Sequence, residues 1–175
     1  MISIDAFRKR RARLCARMSE GLAIIPTAPE KARNRDSHYP YRFDSYFYYL
    51  TAFPEPEAVL VLIAGEAPRS ILFCRPRSEE REIWAGFRYG PEGAKEAFGF
   101  DECYPIEALD EQVPKLMADR DRLFYTLVAG AAWDERVTPS PSGGRVATSS
   151  SSALTASASR AGSVSRYGRR PSTRF

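Results

Sequence analysis

The stretch Asn34-Arg35-Asp36-Ser37-His38-Tyr39-Pro40-Tyr41-Arg42-Phe43-Asp44-Ser45-Tyr46-Phe47-Tyr48-Tyr49-Leu50-Thr51-Ala52-Phe53-Pro54-Glu55-Pro56-Glu57 sets eight aromatic rings among residues that fix turns and helix caps. A plain core segment does not mix the two so densely. Asn34 and Asp36 are suited to bond nearby backbone amides and hold a loop. Asp44 is a cap for a short helical turn through Tyr49. Arg42 has Asp36 and Asp44 as candidate carboxylates for a charge-assisted pair. The aromatics from Tyr39 to Tyr49 are expected to pack the loop onto a sheet, their hydroxyls finding polar partners. This favours an architectural role, with a direct part in an interface or substrate channel as the alternative.

Working outward, the pattern is that of an α/β domain. Ser3 caps an amphipathic helix over 4–19, with Phe7, Leu14 and Met18 at helical spacings and arginines between them. Gly21 stops it, and Leu22-Ala23-Ile24-Ile25 is a short buried strand closed by Pro26. Residues 27–43 read as loop. Ala58-Val59-Leu60-Val61-Leu62-Ile63 is a near-continuous apolar run, as in a strand covered on both faces. Ser70-Ile71-Leu72-Phe73-Cys74 returns as its antiparallel partner. Ser78 followed by Glu79-Glu80-Arg81-Glu82 starts a helix, with acids near its positive end. Pro91 to Phe98 is a second short helix ended by Gly99. A strand over 102–105, a helix over 106–117 despite Pro114 and a strand over 122–127 follow. Strands alternating with helices predict a mixed β-sheet flanked by helices.

A further helix begins at Ala131 and reaches Val137, where the pattern fails. Residues 138–175 hold 11 of the chain's serines, against six in the 137 residues before them. They also carry six arginines and no acid, so the net charge of +4 is the sum of −2 over 1–137 and +6 in the tail. Such a segment buries too little apolar surface to offset its ordering entropy, and disorder is expected. The expected organisation is one α/β domain over 1–137 and a Ser/Arg-rich tail over 138–175.

Composition narrows the function. A near-neutral folded part argues against a nucleic-acid-binding domain, leaving weak, salt-sensitive binding through the tail as a minor alternative. Cys15, Cys74 and Cys103 are odd in number and widely spaced, unlike a disulfide framework, and Cys74 is expected to be buried and reduced. No apolar run reaches the roughly 18 residues of a membrane span, and the arginine-rich N-terminus lacks a signal h-region, so a cytoplasmic location is expected. The chain has a single histidine, His38, expected at the loop surface. It contains no His-Glu-x-x-His, Cys-x-x-Cys, Gly-x-Ser-x-Gly or phosphate-binding loop.

The run Asn34, Asp36, Tyr39, Tyr41, Arg42, Asp44, Ser45, Phe47, Tyr49, Leu50, Thr51, Phe53, Glu55 and Pro56 closely resembles the signature of the N-terminal domain of Xaa-Pro aminopeptidases (aminopeptidase P), of the creatinase/prolidase superfamily. Ala52 departs from it, since the family prefers glycine there. A second motif, Arg81-Glu82-Ile83-Trp84-Ala85-Gly86-Phe87-Arg88-Tyr89-Gly90-Pro91-Glu92-Gly93-Ala94, extends the resemblance, which runs from about residue 2 to 137. It implies that family's N-terminal fold, left incomplete at its C-terminal end. In the intact family, removal of the residue preceding proline uses two Mn²⁺ ions held by two Asp, one His and two Glu of a C-terminal pita-bread domain. The resemblance therefore implies no catalytic or metal-binding residue here and an inactive chain. The implied partners are further copies of itself or a catalytic pita-bread domain, through which alone a peptide substrate is met. The alternative is a stand-alone interaction module that pairs with a separate catalytic chain. Trp84 is the one substrate-proximal candidate, because an aromatic at this place can approach the active-site mouth in assembled relatives.

The loss of acids and periodicity inside a helix is what an out-of-frame read of GC-rich DNA produces, and arginine outnumbers lysine 22 to 4. A truncated or frameshifted chain is therefore expected. Sequencing of the locus should find an intact pita-bread reading frame immediately downstream; a long non-coding region there would refute it.

Overall fold

A computed structural model describes residues 3–78, 82–83, 86–118, 120–125 and, for the backbone, 145–148. Helix α1 (Ile4–Met18) begins where the Ser3 hydroxyl accepts the Asp5 amide at 3.3 Å. Its buried side is Phe7, Arg11, Cys15 and Met18, a stripe of helical period that includes an arginine. Strand β1 (Gly21–Pro26) follows. Gly21 has φ +118°, and a Cβ there would lie 2.7 Å from the Arg122 carbonyl oxygen, so only glycine fits this approach of two strands.

The segment expected to be loop contains a small hairpin, β2 (Ala32–Asn34) and β3 (Ser37–His38). Its residues are mostly exposed and lack apolar alternation, so strand periodicity had nothing to reveal. Helix α2 (Ser45–Thr51) starts at the predicted cap, with Asp44 Oδ1 accepting the Phe47 amide at 2.8 Å. It ends on Ala52 in the left-handed region, φ 59° and ψ 6°.

Strands β4 (Val59–Ala64) and β5 (Arg69–Cys74) form the predicted antiparallel hairpin, pairing Val59 with Phe73 and Ile63 with Arg69. Helix α3 (Gly90–Phe98) ends on Gly99 at φ 62°. Strand β6 (Glu102–Pro105) lies parallel to β5. The helix expected over 106–117 opens as a single 3-10 turn, Ile106–Ala108, and becomes α4 (Leu109–Met117), which contains Pro114. Proline removes one helical donor in so short an element; α4 also carries an exposed 2.6 Å Lys115–Glu111 pair on its surface. Strand β7 (Arg122–Tyr125) pairs in parallel with β1.

The expectation of disorder throughout the tail needs one correction. Arg145–Thr148 forms β8, parallel to β7 and at the end of the sheet. Backbone pairing to an available strand edge does not require the apolar periodicity that the tail lacks. The rest of the tail and the helix expected over 131–137 lie outside the described residues.

The sheet order is β6-β5-β4-β1-β7-β8, with antiparallel pairs at the centre and parallel pairs toward both edges. This is the predicted mixed sheet flanked by helices. On one face Leu60, Leu62, Leu72 and Cys74 meet Phe47, Leu50, Phe53 and Phe98 beneath α1, α2 and α3. On the other, Val59, Val61, Ile63, Ile71 and Phe73 meet Leu109, with Val113, Leu116 and Met117 of α4 packed against them. Every residue of β4 is buried, which explains why that strand reads as a continuous apolar run.

Cys74 is fully buried, and burial pushes its thiol up to about 12; Cys103 is raised to about 12 by the same cause. Both stay protonated at neutral pH and carry little nucleophilic thiolate. A thiol reagent at pH 8 should leave Cys74 unmodified in the folded chain and label it after urea unfolding; fast labelling of the native protein would contradict this burial.

Ala52 gives a second expected outcome. A left-handed alanine costs about 1 kcal/mol that glycine avoids, so Ala52→Gly should stabilise the domain by about 0.5–1 kcal/mol in urea denaturation.

Candidate functional site

The signature residues divide into a group that builds the loop and a group that faces solvent. Asn34 Oδ1 accepts the Asp36 amide at 3.3 Å and the Ser37 hydroxyl at 2.7 Å, closing the hairpin turn. The Tyr41 hydroxyl donates to the Ala28 carbonyl at 3.2 Å and lies 2.7 Å from Thr27 Oγ1. Since that hydroxyl has one proton, the Thr27 hydroxyl is the donor between the two. Burial raises the Tyr41 phenol above its ordinary value, against the bond from Thr27. Thr51 donates to the Phe47 carbonyl and accepts the Phe53 amide, locking the chain after α2.

Glu55 and Pro56 are buried just before β4. Glu55 Oε1 accepts the Tyr89 amide at 2.8 Å, while Oε2 lies 3.9 Å from Arg75 Nη2. A carboxylate 93% buried thus ties the signature to the second motif, 34 residues further on. Glu82 holds the neighbouring amide, Arg88 N, at 3.3 Å and also accepts from Arg77 Nε at 3.2 Å. Two carboxylates therefore fix consecutive amides of the chain entering α3. Trp84, the substrate-proximal candidate, lies outside the described residues; its neighbour Ile83 and nearby Phe87 are exposed.

Other signature residues point outward. Tyr39 and Tyr49 are 54% and 52% exposed, and Asp36, Arg42 and Ser45 are exposed as well. The expectation that all these rings pack onto the sheet is corrected here. Only Phe47 among the rings from Tyr39 to Tyr49 is fully buried; Phe43 stacks on Tyr48 at 3.9 Å, and Tyr49 carries the Arg10 guanidinium 4.1 Å above its ring. The short helix α2 has one inward face, and consecutive rings cannot share it. The pair expected between Arg42 and Asp36 or Asp44 does not form among the described residues, because Asp44 serves the α2 cap and Asp36 lies in the exposed turn. His38 is an exposed residue of β3, as expected.

These elements enclose a groove of about 320 Å³ lined by Ala28, Pro29, Lys31 and the run from Tyr39 to Ser45. Sequence reasoning found its aromatic wall but missed the buried polar residues of the domain. Thr27, Arg88 and Arg11 are buried, and Arg75 is half-buried beside Glu55. For Arg11 a signal was present, since it stands four residues after Phe7 and four before Cys15 on the inner stripe. Arg75 and Arg88 carried none.

A profile described as "Aminopeptidase P, N-terminal domain" matches residues 7–125. The chain belongs to this family. The Xaa-Pro aminopeptidase of Escherichia coli (strain K12) is 41% identical over 127 residues, which cover 71% of this chain and 29% of that protein. The structure of Pseudomonas aeruginosa aminopeptidase PepP is similar at 45% identity and TM-score 0.74, over 78% of this chain and 31% of that one. Zn-substituted E. coli aminopeptidase P in complex with product matches at 39% identity and TM-score 0.75, over 78% and 32%. The chain thus spans about three-tenths of the length of these relatives.

Among the described residues of the aminopeptidase P domain, no three His, Cys, Asp or Glu side chains come together as a metal site. His38, the chain's single histidine, is exposed on β3 with no such cluster around it, so the described residues do not assemble the two-metal centre that the resemblance implies for the intact family. No hydrolytic step is assigned to the described residues. No helix among them is long and apolar enough to cross a membrane.

The Glu55 tether is open to test by hydrogen exchange. Glu55→Gln keeps an acceptor for Tyr89 N and should largely preserve protection of that amide. Glu55→Ala should lose it and cost about 2 kcal/mol of stability, the penalty of an unpaired buried donor. Equal protection in the two variants would show that the tether is not needed.

Proposed function

We propose that this chain is the non-catalytic N-terminal domain of a Mn²⁺-dependent Xaa-Pro metalloaminopeptidase, the class of enzyme that removes an N-terminal residue preceding proline. Its role is to form contacts between subunits and with a catalytic pita-bread domain, and to restrict access to that domain's active site. On this reading the chain alone has no peptidase activity and acts in the cytoplasm. One observation carries the proposal: the chain matches the N-terminal domain of the family and spans about three-tenths of the length of the E. coli relative. The anchored amides of Arg88 and Tyr89, with exposed Phe87 next to them, support a part played at a contact with another domain or subunit. Trp84 belongs to the same motif and is proposed as its substrate-proximal residue.

Where the metal ions are bound in the intact protein, they would activate the attacking water and polarise the scissile carbonyl. The described residues would contribute position and enclosure.

The test is direct. Purified chain incubated with an Xaa-Pro peptide and added Mn²⁺ should release no N-terminal residue, and metal-dependent release would refute the proposal.

A further inference from the structure

We propose that the outer side of α1, with the exposed rings of α2 beside it, binds single-stranded nucleic acid. Helix α1 holds the cations Arg8, Lys9, Arg10, Arg11, Arg13 and Arg17 and a single acid, Asp5. The net −2 over residues 1–137 is therefore +5 in α1 and −7 in the rest. Acids gather instead across the sheet, where the 3-10 turn and α4 carry Glu107, Asp110 and Glu111. A basic stripe on folded structure is the electrostatic footprint of a nucleic-acid surface, and an average over the domain conceals it.

Arg11 is spent inside the domain. Lys9, Arg13 and Arg17 are exposed and Arg10 is half-buried, and among the described residues no ion pair draws on them. Arg10, Arg13 and Arg17 recur at i, i+3 and i+7, which sets them in one row along the helix. The neighbouring acids, Asp5 and Glu20, stand at the two ends of α1 and leave the row itself unopposed. At a rise of about 1.5 Å per residue the row spans about 10 Å. That is about three steps of 3.4 Å along one nucleic-acid strand.

Charge alone would suit any polyanion, and the rings narrow the choice. The Arg10 guanidinium lies 4.1 Å over the Tyr49 ring and donates to the Tyr49 carbonyl at 3.0 Å, so it joins the row to α2. Tyr46 stands three residues before Tyr49, on the same side of α2, and the two are 67% and 52% exposed. Open rings beside a line of cations offer bases a stacking platform and phosphates a counter-charge. Bases of a single strand can reach such rings, whereas those of a duplex are already stacked inside it. The two helices are fixed to one another by the Phe7–Tyr48 ring contact at 6.5 Å and by the Arg11 bond to the Leu50 carbonyl at 3.1 Å. The platform is therefore prearranged, and binding adds little ordering cost on the protein side.

Fluorescence anisotropy with the full chain and a labelled twelve-nucleotide oligothymidylate tests this. The oligonucleotide should bind saturably. Arg13→Glu combined with Arg17→Glu should weaken binding at least about tenfold and make its logarithmic salt dependence shallower by about 1.4, two phosphates at about 0.7 each. Arg33→Glu combined with Arg35→Glu, an equal change of net charge at an exposed turn, should leave affinity within about twofold. Tyr46→Ala should weaken binding about fivefold or more, and Tyr46→Phe should retain it. All the altered side chains are exposed, so circular dichroism should be unchanged. Every variant keeps the six arginines of the tail. Binding that survives the Arg13 and Arg17 reversals would belong to the tail and overturn the proposal, as would an equal loss in the Arg33 and Arg35 control. Unchanged affinity in Tyr46→Ala would show that a polyanion without bases, or an anionic membrane, suffices, and would overturn it too. So would no binding up to about 1 mM at low salt.

Discussion

Three carbonyl oxygens at the ends of two helices converge on one buried guanidinium. Arg11 of α1 donates to the carbonyls of Leu50, Phe98 and Gly99 at 3.1, 3.2 and 2.6 Å. The last carbonyls of a helix have no intrahelical partner and carry the negative end of its dipole. Buried without a donor, each would cost about 1–3 kcal/mol. A single planar cation satisfies the ends of α2 and α3 together, and its Cζ lies 4.4 Å from the Phe100 ring centre. Burial pulls Arg11 down to about 10, which leaves it charged at neutral pH. Arg10 repeats the device nearer the surface, donating to the Tyr49 carbonyl at 3.0 Å. The placement of α2 and α3, and of the motif segments that lead into them, follows from α1 holding both helix ends.

Glu55 adds the second constraint. Arg11 fixes where α3 ends, whereas Glu55 and Glu82 fix how the chain enters it, through the amides of Tyr89 and Arg88. Tyr89 then packs against Phe53 and Phe98, with ring centres 6.0 and 5.0 Å away, so the entry is held by apolar contact as well. The second motif is thus held at its Arg88–Tyr89 step by one carboxylate of its own, Glu82, and one from the signature, Glu55. An exposed apolar side chain such as Phe87 keeps a defined position only on such a support.

Much of this architecture was legible in the sequence because burial imposes periodicity. The continuous apolar run of β4, the caps at Ser3 and Asp44, and the left-handed end of α3 at Gly99 each follow from local rules, and the structure has them all. The hairpin at 32–38 was not legible, since an exposed two-strand ribbon needs no apolar alternation. Strand β8 escaped for a related reason: it pairs through its backbone. The buried arginines were harder still. A charge run such as Arg8-Lys9-Arg10-Arg11 reads as a solvated face; helical spacing from Phe7 puts Arg11 on the inner stripe, but the carbonyls that satisfy it come from two distant helices. The signature was recognisable as family and as scaffold, but its split into an inner and an outer set depends on which way each ring leaves a seven-residue helix.

That split ties the scaffold to whatever surface chemistry the domain performs. The inner set, Asn34, Tyr41, Asp44 and Glu55, spends its polar groups on backbone atoms and neighbouring side chains and gives the loop one shape. The outer set, Tyr39, Arg42 and Ser45, lines a groove whose form that shape determines. An exposed aromatic–cation surface on a mobile loop would lose much of its binding energy to ordering. Here the order is supplied in advance by internal bonds, down to the single hydroxyl proton that Tyr41 commits to Ala28. The inner residues thus shape the outer surface indirectly: loosening any one of them would change the geometry at Tyr39 and Arg42, which they hold only through the backbone of the loop.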